Sequence, residues 1–217
     1  MGFTVLISCP LLIWSVRHRM HPQTLSALIL LNDLRHAAME ALEQKHKLPS
    51  LLLLYSFIDI CASLSEEAPA KSNRERFETF LRTNTPFNWK SFTPYELWAA
   101  RSSLLHSYSP LGDHTKKPAG ARPIFYFAWP ETREQVDKLL KERGYRNYYL
   151  MDMNTIKYVA VSGFNAMWHR VDTEPQFEEI FRENAVHVLK DMQYMRLEDE
   201  LTLLAELRSL NASTGDA

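Results

Sequence analysis

Cysteine and glycine are both scarce in this chain of 217 residues. The two cysteines, Cys9 and Cys61, lie far apart within apolar runs, which favours buried free thiols in a reducing compartment over a disulfide. The 6 glycines argue against an all-β protein rich in tight turns, and long windows of Leu, Ala, Glu, Lys and Arg favour helices instead. We therefore predict a mainly α protein, located in the cytoplasm.

The chain also lacks excess charge and the common ligand-binding motifs. Its formal net charge is −1 at pH 7, so it has no general attraction for nucleic acid or an acidic membrane, and any contact with RNA must be local. It contains no His-Glu-x-x-His motif and no Gly-rich phosphate loop, and we expect neither a metal nor a cofactor. The sequence leaves a Ser/His/Asp triad open, although no Gly-x-Ser-x-Gly elbow supports one.

The first apolar run of the chain covers residues 3–16, contains Pro10 and is followed by Arg17-His18-Arg19. It is too short for a normal membrane span, and its positive charge follows the apolar segment, whereas the charge of a signal peptide precedes it. We expect a loosely attached tail without membrane contact; a translation start at Met20 is the alternative. The predicted organisation is this tail over residues 1–22, one helical domain over 23–211 and a disordered tail over 212–217.

Most of the remaining chain has the periodicity of amphipathic helices. The first helix is predicted to end at Pro49. Its predicted inner face carries Leu25, Leu28, Ile29, Asn32 and His36. The next helix, from Ser50 to Glu66, is apolar on nearly all sides, and we expect it at the centre of a bundle.

Two segments have the composition of β-strands. Residues 124–129 and 145–151 are rich in aromatic and β-branched side chains and predict a small two-stranded element. They flank a charged helix that is predicted to end at Gly144. A further helix, described below, follows Phe92. The other predicted helices cover residues 73–81, 131–143, 154–170, 176–192 and 198–210.

The segment from Thr93 to Pro110 predicts the most clearly delimited helix of the chain. Thr93 is a favourable N-cap, and Glu96 stands where a capping box requires an acid that reaches back to the Thr93 amide. Pro110 cannot continue the helix. The polar residues Arg101 and His106 interrupt its apolar face.

These two residues have the spacing Arg-x-x-x-x-His, within Leu-Trp-Ala-Ala-Arg-Ser-Ser-Leu-Leu-His-Ser-Tyr-Ser-Pro at residues 97–110. Together with Leu-Tyr-Ser-Phe-Ile-Asp-Ile-Cys-Ala-Ser-Leu at residues 54–64, this stretch resembles a branch of the prokaryotic HEPN domains, over about residues 23–170. The resemblance implies an HEPN-like helical bundle. It also implies a metal-independent ribonuclease of a phage-defence or toxin-antitoxin system, with Arg101 and His106 as catalytic residues at a homodimer interface. An antitoxin or a nucleotidyltransferase is the partner that such a system would supply.

An arginine and a histidine suffice for one kind of RNA cleavage. When the 2′-hydroxyl attacks the adjacent phosphate, a base must take its proton, an acid must protonate the leaving 5′-oxygen, and positive charge must stabilise the transition state. His106 can serve as the base, and Arg101 supplies a permanent charge with a donor geometry that fits phosphate oxygens.

The spacing of the two residues bears on the oligomeric state. Five residues correspond to about 500° around an α-helix, so Arg101 and His106 project about 140° apart. One helix therefore presents an incomplete site, and a second copy related by a two-fold axis would complete it. The sequence predicts a homodimer.

Three residues are predicted to support the catalytic pair. Asp59 lies in the apolar central helix, where an unpaired carboxylate is strongly unfavourable, and its partner is either Arg101 or a serine or backbone amide. Ser102 stands where related motifs often carry Asn, Asp or His, so its hydroxyl is a weaker polar group at that position. Tyr108 and Ser107 are nearby donors that could compensate for it.

A locally basic segment follows His106 and contains Lys116, Lys117 and Arg122. Its position beside the motif favours binding of RNA phosphates. The alternative is a solvated loop without a ligand.

The sequence therefore predicts an endoribonuclease that acts on RNA, and leaves two alternatives. One is a catalytically silent HEPN module that binds RNA, a nucleotide or a partner protein, which Ser102 favours. The other is a structural helical adaptor in which Arg101 and His106 have only internal partners.

Overall fold

The protein is mainly helical with a two-stranded sheet, as predicted. The computed structural model describes residues 21–116, 120–188 and 190. The elements in chain order are α1 (Pro22–Glu43), α2 (Lys47–Leu64), α3 (Asn73–Asn84), α4 (Pro94–Ser107), the single turn α5 (Asp113–Lys116), β1 (Ile124–Phe127), a 3-10 turn (Pro130–Thr132), α6 (Arg133–Glu142), β2 (Tyr149–Asp152) and α7 (Met153–Thr173). Residues 175–188 form a further helix, α8. The predictions for residues 1–20, for a helix over 198–210 and for a tail over 212–217 lie outside the described residues.

Helix α2 lies at the centre of the bundle. It contacts α1, α3, α4 and α7, and its residues Leu54, Tyr55, Phe57 and Ile58 are completely buried. Because α2 is apolar on nearly every side, packing on several sides removes most of its apolar surface from water. By length and composition it is the one described helix that could cross a membrane, but half of it is buried inside the protein, as in a core helix.

The boundary between α1 and α2 differs from the prediction. Helix α1 ends at Glu43 and α2 begins at Lys47, so Pro49 lies in the first turn of α2 instead of ending α1. Proline is tolerated there because the amides of a first turn have no acceptor within the helix. The earlier end of α1 comes from Lys45, which adopts a left-handed conformation with φ 66°.

The prediction for the buried face of α1 was also wrong in part. Leu28 is buried as predicted, but Ile29 is 47% exposed, whereas Thr24 and Leu31 are buried. The hydroxyl of Thr24 donates to a carboxylate oxygen of Glu178 on α8, which gives this polar side chain a partner inside the protein. The apolar periodicity alone could not place Thr24 there.

The two strands form a parallel pair, with Ile124 opposite Tyr149. Helix α6 connects them, and Gly144 follows α6 with φ 84°, a conformation that glycine adopts without steric penalty. The chain enters α7 directly after β2, where Asp152 caps the first amides of that helix. The carboxyl ends of both strands therefore lie next to the first turn of α7.

We expect the core position Leu54 to be far more sensitive to truncation than an exposed leucine. Leu54→Ala should lower the free energy of unfolding by about 2–5 kcal/mol, since it leaves a cavity in the central helix. Leu139→Ala, at a position that is 46% exposed on α6, should change it by no more than about 0.5 kcal/mol. Urea unfolding measures both, and equal losses would contradict the central position of α2.

Candidate active site

Helix α4 is delimited by the capping box that the sequence predicts. The Thr93 hydroxyl accepts from the Glu96 amide at 3.1 Å, and Glu96 Oε2 accepts from the Thr93 amide at 2.7 Å. The helix ends at Ser107, and Tyr108 follows in a left-handed conformation with φ 49°. These two ends fix His106 in the last turn of α4.

The side chains of Arg101 and Asp59 form an ion pair between α4 and α2. Nε and Nη2 of Arg101 both lie 2.6 Å from Oδ2 of Asp59. Of the two alternatives for Asp59, the structure therefore shows the pairing with arginine. The side chains are 22% and 27% exposed, so the pair lies at the edge of the bundle and in contact with solvent.

Burial dominates the ionisation of Asp59. Desolvation raises the pKa of its carboxyl group, and the charge and hydrogen bonds of Arg101 only partly oppose that rise. The pKa in the folded protein therefore lies above the ordinary value. The ion pair with Arg101 stabilises the charged form of Asp59, but ionisation of this carboxyl group stays less favourable than it is in water.

The other residues of the motif lie towards the outside. His106 is exposed and Ser102 is half-buried, and Tyr108 is 69% exposed. The motif pair is thus not sealed from water: His106 is exposed and the side chain of Arg101 is partly exposed. Nothing in this arrangement requires Arg101 and His106 to have only internal partners.

The three residues of the predicted phosphate-binding segment differ in their surroundings. Arg122 Nε donates to Glu96 Oε1 at 2.5 Å, and its Nη2 donates to the main-chain oxygen of Ser91 at 2.8 Å. Lys116 is the last residue of α5, and Lys117 lies outside the described residues. A phosphate-binding role for these three residues stays a prediction, and Arg122 has a structural partner that the sequence did not reveal.

Glu96 combines two functions in the first turn of α4. Burial opposes its ionisation, but the hydrogen bonds from Arg122 and from Thr93 outweigh burial and lower the pKa of its carboxyl group. The same carboxylate therefore caps α4 and fixes the segment before β1 to that helix. The sequence indicated the cap, because it is local, but it gave no sign of a partner 26 residues further along the chain.

No family model matches this chain, and neither the curated proteins nor the solved structures contain a match to it. Within the described part of the chain, no three side chains of His, Cys, Asp or Glu come close enough together to hold a metal ion.

The pKa of Asp59 leads to a pH dependence of stability. Because the folded protein binds this proton more tightly than the unfolded chain, the contribution of Asp59 to stability should fall as the pH rises from the ordinary aspartate pKa through the raised one. Asp59→Asn removes that contribution. Urea unfolding across this pH range should therefore show wild type losing stability relative to the variant as the pH increases.

The exposed Asp33→Asn variant is the control for the loss of one negative charge on the neighbouring helix α1. A difference between wild type and Asp59→Asn that is independent of pH, or that grows in favour of wild type with rising pH, would contradict the raised pKa.

The contact between Arg122 and Glu96 predicts a structural role for Arg122. Arg122→Ala leaves the nearly buried Glu96 without its charged partner and should lower the free energy of unfolding by about 1–3 kcal/mol. Arg182→Ala breaks an exposed pair within α8 and should change it by less than about 1 kcal/mol. Unchanged stability of Arg122→Ala together with weaker RNA binding would instead support the phosphate-binding prediction.

Proposed function

We propose that the protein is a metal-independent endoribonuclease of the HEPN type that acts as a homodimer. The observation that carries the proposal is the fixed position of Arg101. Asp59 holds its guanidinium at the protein surface, on the same short helix that exposes His106 in its last turn. A fixed cation and an accessible imidazole are the two groups that cleavage by an RNA 2′-hydroxyl requires.

The contact with Asp59 leaves donors of Arg101 for a substrate. A guanidinium carries five N–H groups, of which Nε and Nη2 face Asp59 Oδ2. The two N–H groups of Nη1 point away from that oxygen and can donate to the non-bridging oxygens of a phosphate. Asp59 is thus a positioning residue that fixes the orientation of the guanidinium.

The proposed reaction needs one base and one acid. An imidazole of His106 takes the proton of the 2′-hydroxyl, the 2′-oxygen bonds to phosphorus, and the bond from phosphorus to the 5′-oxygen breaks. A protonated imidazole gives its proton to the leaving 5′-oxygen. The products are a 2′,3′-cyclic phosphate and a 5′-hydroxyl end.

A homodimer supplies the second imidazole. Arg101 and His106 project about 140° apart on one helix, so a single copy of α4 cannot direct both at one phosphate from the same side. Two copies of α4 related by a two-fold axis bring two arginines and two histidines around one scissile bond. Arg101 is partly exposed and His106 is exposed, so both are available for such an interface.

The biological setting is part of the proposal and follows from the resemblance alone. A cytoplasmic ribonuclease of this type acts in phage defence or in a toxin-antitoxin system. An antitoxin or nucleotidyltransferase partner would then restrain it until it is needed.

A catalytically silent HEPN module that binds RNA, a nucleotide or a partner protein is the second candidate. Two observations favour it. Ser102 provides a weaker polar group than the residues that often follow the motif arginine, and Asp59 already balances part of the charge of Arg101. The exposure of His106 speaks against the third candidate, a structural adaptor with internally satisfied motif residues.

Cleavage of labelled RNA in the presence of EDTA tests the proposal. His106→Ala should reduce the rate by about 10²–10⁴-fold, the usual contribution of a general acid or base. Its melting temperature should stay close to that of wild type because the side chain is exposed. His169→Ala is the matched control, since His169 is an exposed histidine near the C-terminal end of α7.

Cleavage that His106→Ala leaves unchanged would contradict the mechanism. Wild-type protein that binds RNA but does not cleave it would support the silent module.

A further inference from the structure

A cleft of about 260 Å³ opens at the carboxyl ends of the two strands. Ala128 and Trp129 follow β1, Met153 and Asn154 begin α7 after β2, and the turn between α1 and α2 forms the remaining side. This cleft is separate from the motif: Lys47 at its edge and Asp59 are 12 residues apart on α2, or about 18 Å along the helix.

Positive charge is concentrated around this cleft. Lys45 and Lys47 come from the turn between α1 and α2, Lys157 comes from the first turns of α7, and Glu43 is the one acid among the lining residues. The chain as a whole has a net charge of −1, so this cluster is a local feature. With three lysines and one glutamate, the lining of this small cleft has a net positive charge, which favours a ligand with more than one negative charge.

Two lysines have surroundings that fit such a ligand. Lys47 donates to the main-chain oxygen of Tyr126, and burial lowers the pKa of its amine, so an anion nearby would stabilise its charged form. The carboxylate of Asp152 already accepts hydrogen bonds from the amides of Asn154 and Thr155 in the first turn of α7. The lysine side chains, not the helix N-terminus, are therefore the groups that would hold the anion.

Lys45 occupies a backbone position that normally favours glycine. Its φ is 66°, and the His46 amide donates to the Ala41 main-chain oxygen at 2.8 Å, which is the hydrogen bond of a Schellman helix end. A residue with a Cβ atom is less stable than glycine in this left-handed conformation. The Nζ atom of Lys45 lies 5.6 Å from the centre of the Trp129 ring, at the cleft.

Trp129 adds an aromatic surface to the site. It is one of the large hydrophobic side chains that remain exposed, at 39%. Nucleic-acid bases stack on exposed aromatic rings of this kind. A ligand with both a phosphate group and a planar base uses the lysines and the tryptophan together.

We propose that this cleft binds the phosphate group of a nucleotide, with Lys45, Lys47 and Lys157 around the phosphate and the base against Trp129. The phosphate comes from a free mononucleotide or from an RNA strand. The site uses neither Arg101 nor His106, so it does not depend on the proposed ribonuclease activity.

Calorimetric titration of the full chain with adenosine 5′-monophosphate tests the proposal. We expect saturable binding that is tighter than the binding of adenosine or of inorganic phosphate. Lys157→Ala should weaken it by about tenfold, the usual effect of losing one charge-assisted contact. Lys90→Ala, which removes an exposed lysine that does not line the cleft, should leave it unchanged.

Lys45→Gly is the most informative variant because it separates binding from folding. It should weaken binding of the nucleotide while raising the urea concentration at which the protein unfolds, since glycine suits the left-handed position. Loss of binding therefore cannot be attributed to loss of the fold.

Absence of saturable binding at millimolar nucleotide would overturn the proposal. So would equal affinity in wild type, Lys45→Gly and Lys157→Ala, adenosine that binds as tightly as its monophosphate, or a loss of affinity in Lys90→Ala as large as that in Lys157→Ala. A competition arm identifies the source of the phosphate. Displacement of the nucleotide by a short 2′-O-methyl RNA assigns the site to an RNA strand, and the lack of displacement assigns it to the free nucleotide.

Discussion

The carboxylate of Asp59 lies in the most apolar helix of the protein, and this position constrains the rest of the site. A charge there requires a partner, and Arg101 supplies it from a helix that begins 30 residues after α2 ends. The pair joins α2 to α4 and fixes the guanidinium at the edge of the bundle. Since the capping box and the left-handed Tyr108 set the two ends of α4, the same contact also determines where His106 meets the solvent.

A second long-range contact connects α4 to the sheet. Glu96 caps α4 and at the same time accepts from Arg122, just before β1. Helix α2 therefore relates two parts of the protein: Asp59 holds the motif helix, and Lys47, at the beginning of α2, bonds to the main chain of β1 beside the lysine-lined cleft. Each part carries its own cationic side chains, which are at least partly exposed, and the two parts can be tested by separate variants.

Sequence reasoning succeeded where the deciding interactions are local or where an energetic rule is strict. The Thr93 cap, the glycine after α6 and the central position of α2 follow from signals within a few residues, and a carboxylate among apolar side chains had to have a partner. It failed where the hydrogen-bonding partner of a polar group is distant in the sequence. Neither Thr24 with Glu178 nor Glu96 with Arg122 leaves any local signal, and the three lysines of the cleft lie too far apart in the sequence to indicate a cluster.

The central claim is that Arg101, held by Asp59, and His106 cleave RNA by attack of its own 2′-hydroxyl. The ends of the fragments that wild-type protein produces in EDTA test it most directly. The account predicts 2′,3′-cyclic phosphate or 3′-phosphate ends together with 5′-hydroxyl ends, because the nucleophile belongs to the RNA. Fragments with 5′-phosphate and 3′-hydroxyl ends, which require attack by water, would contradict it.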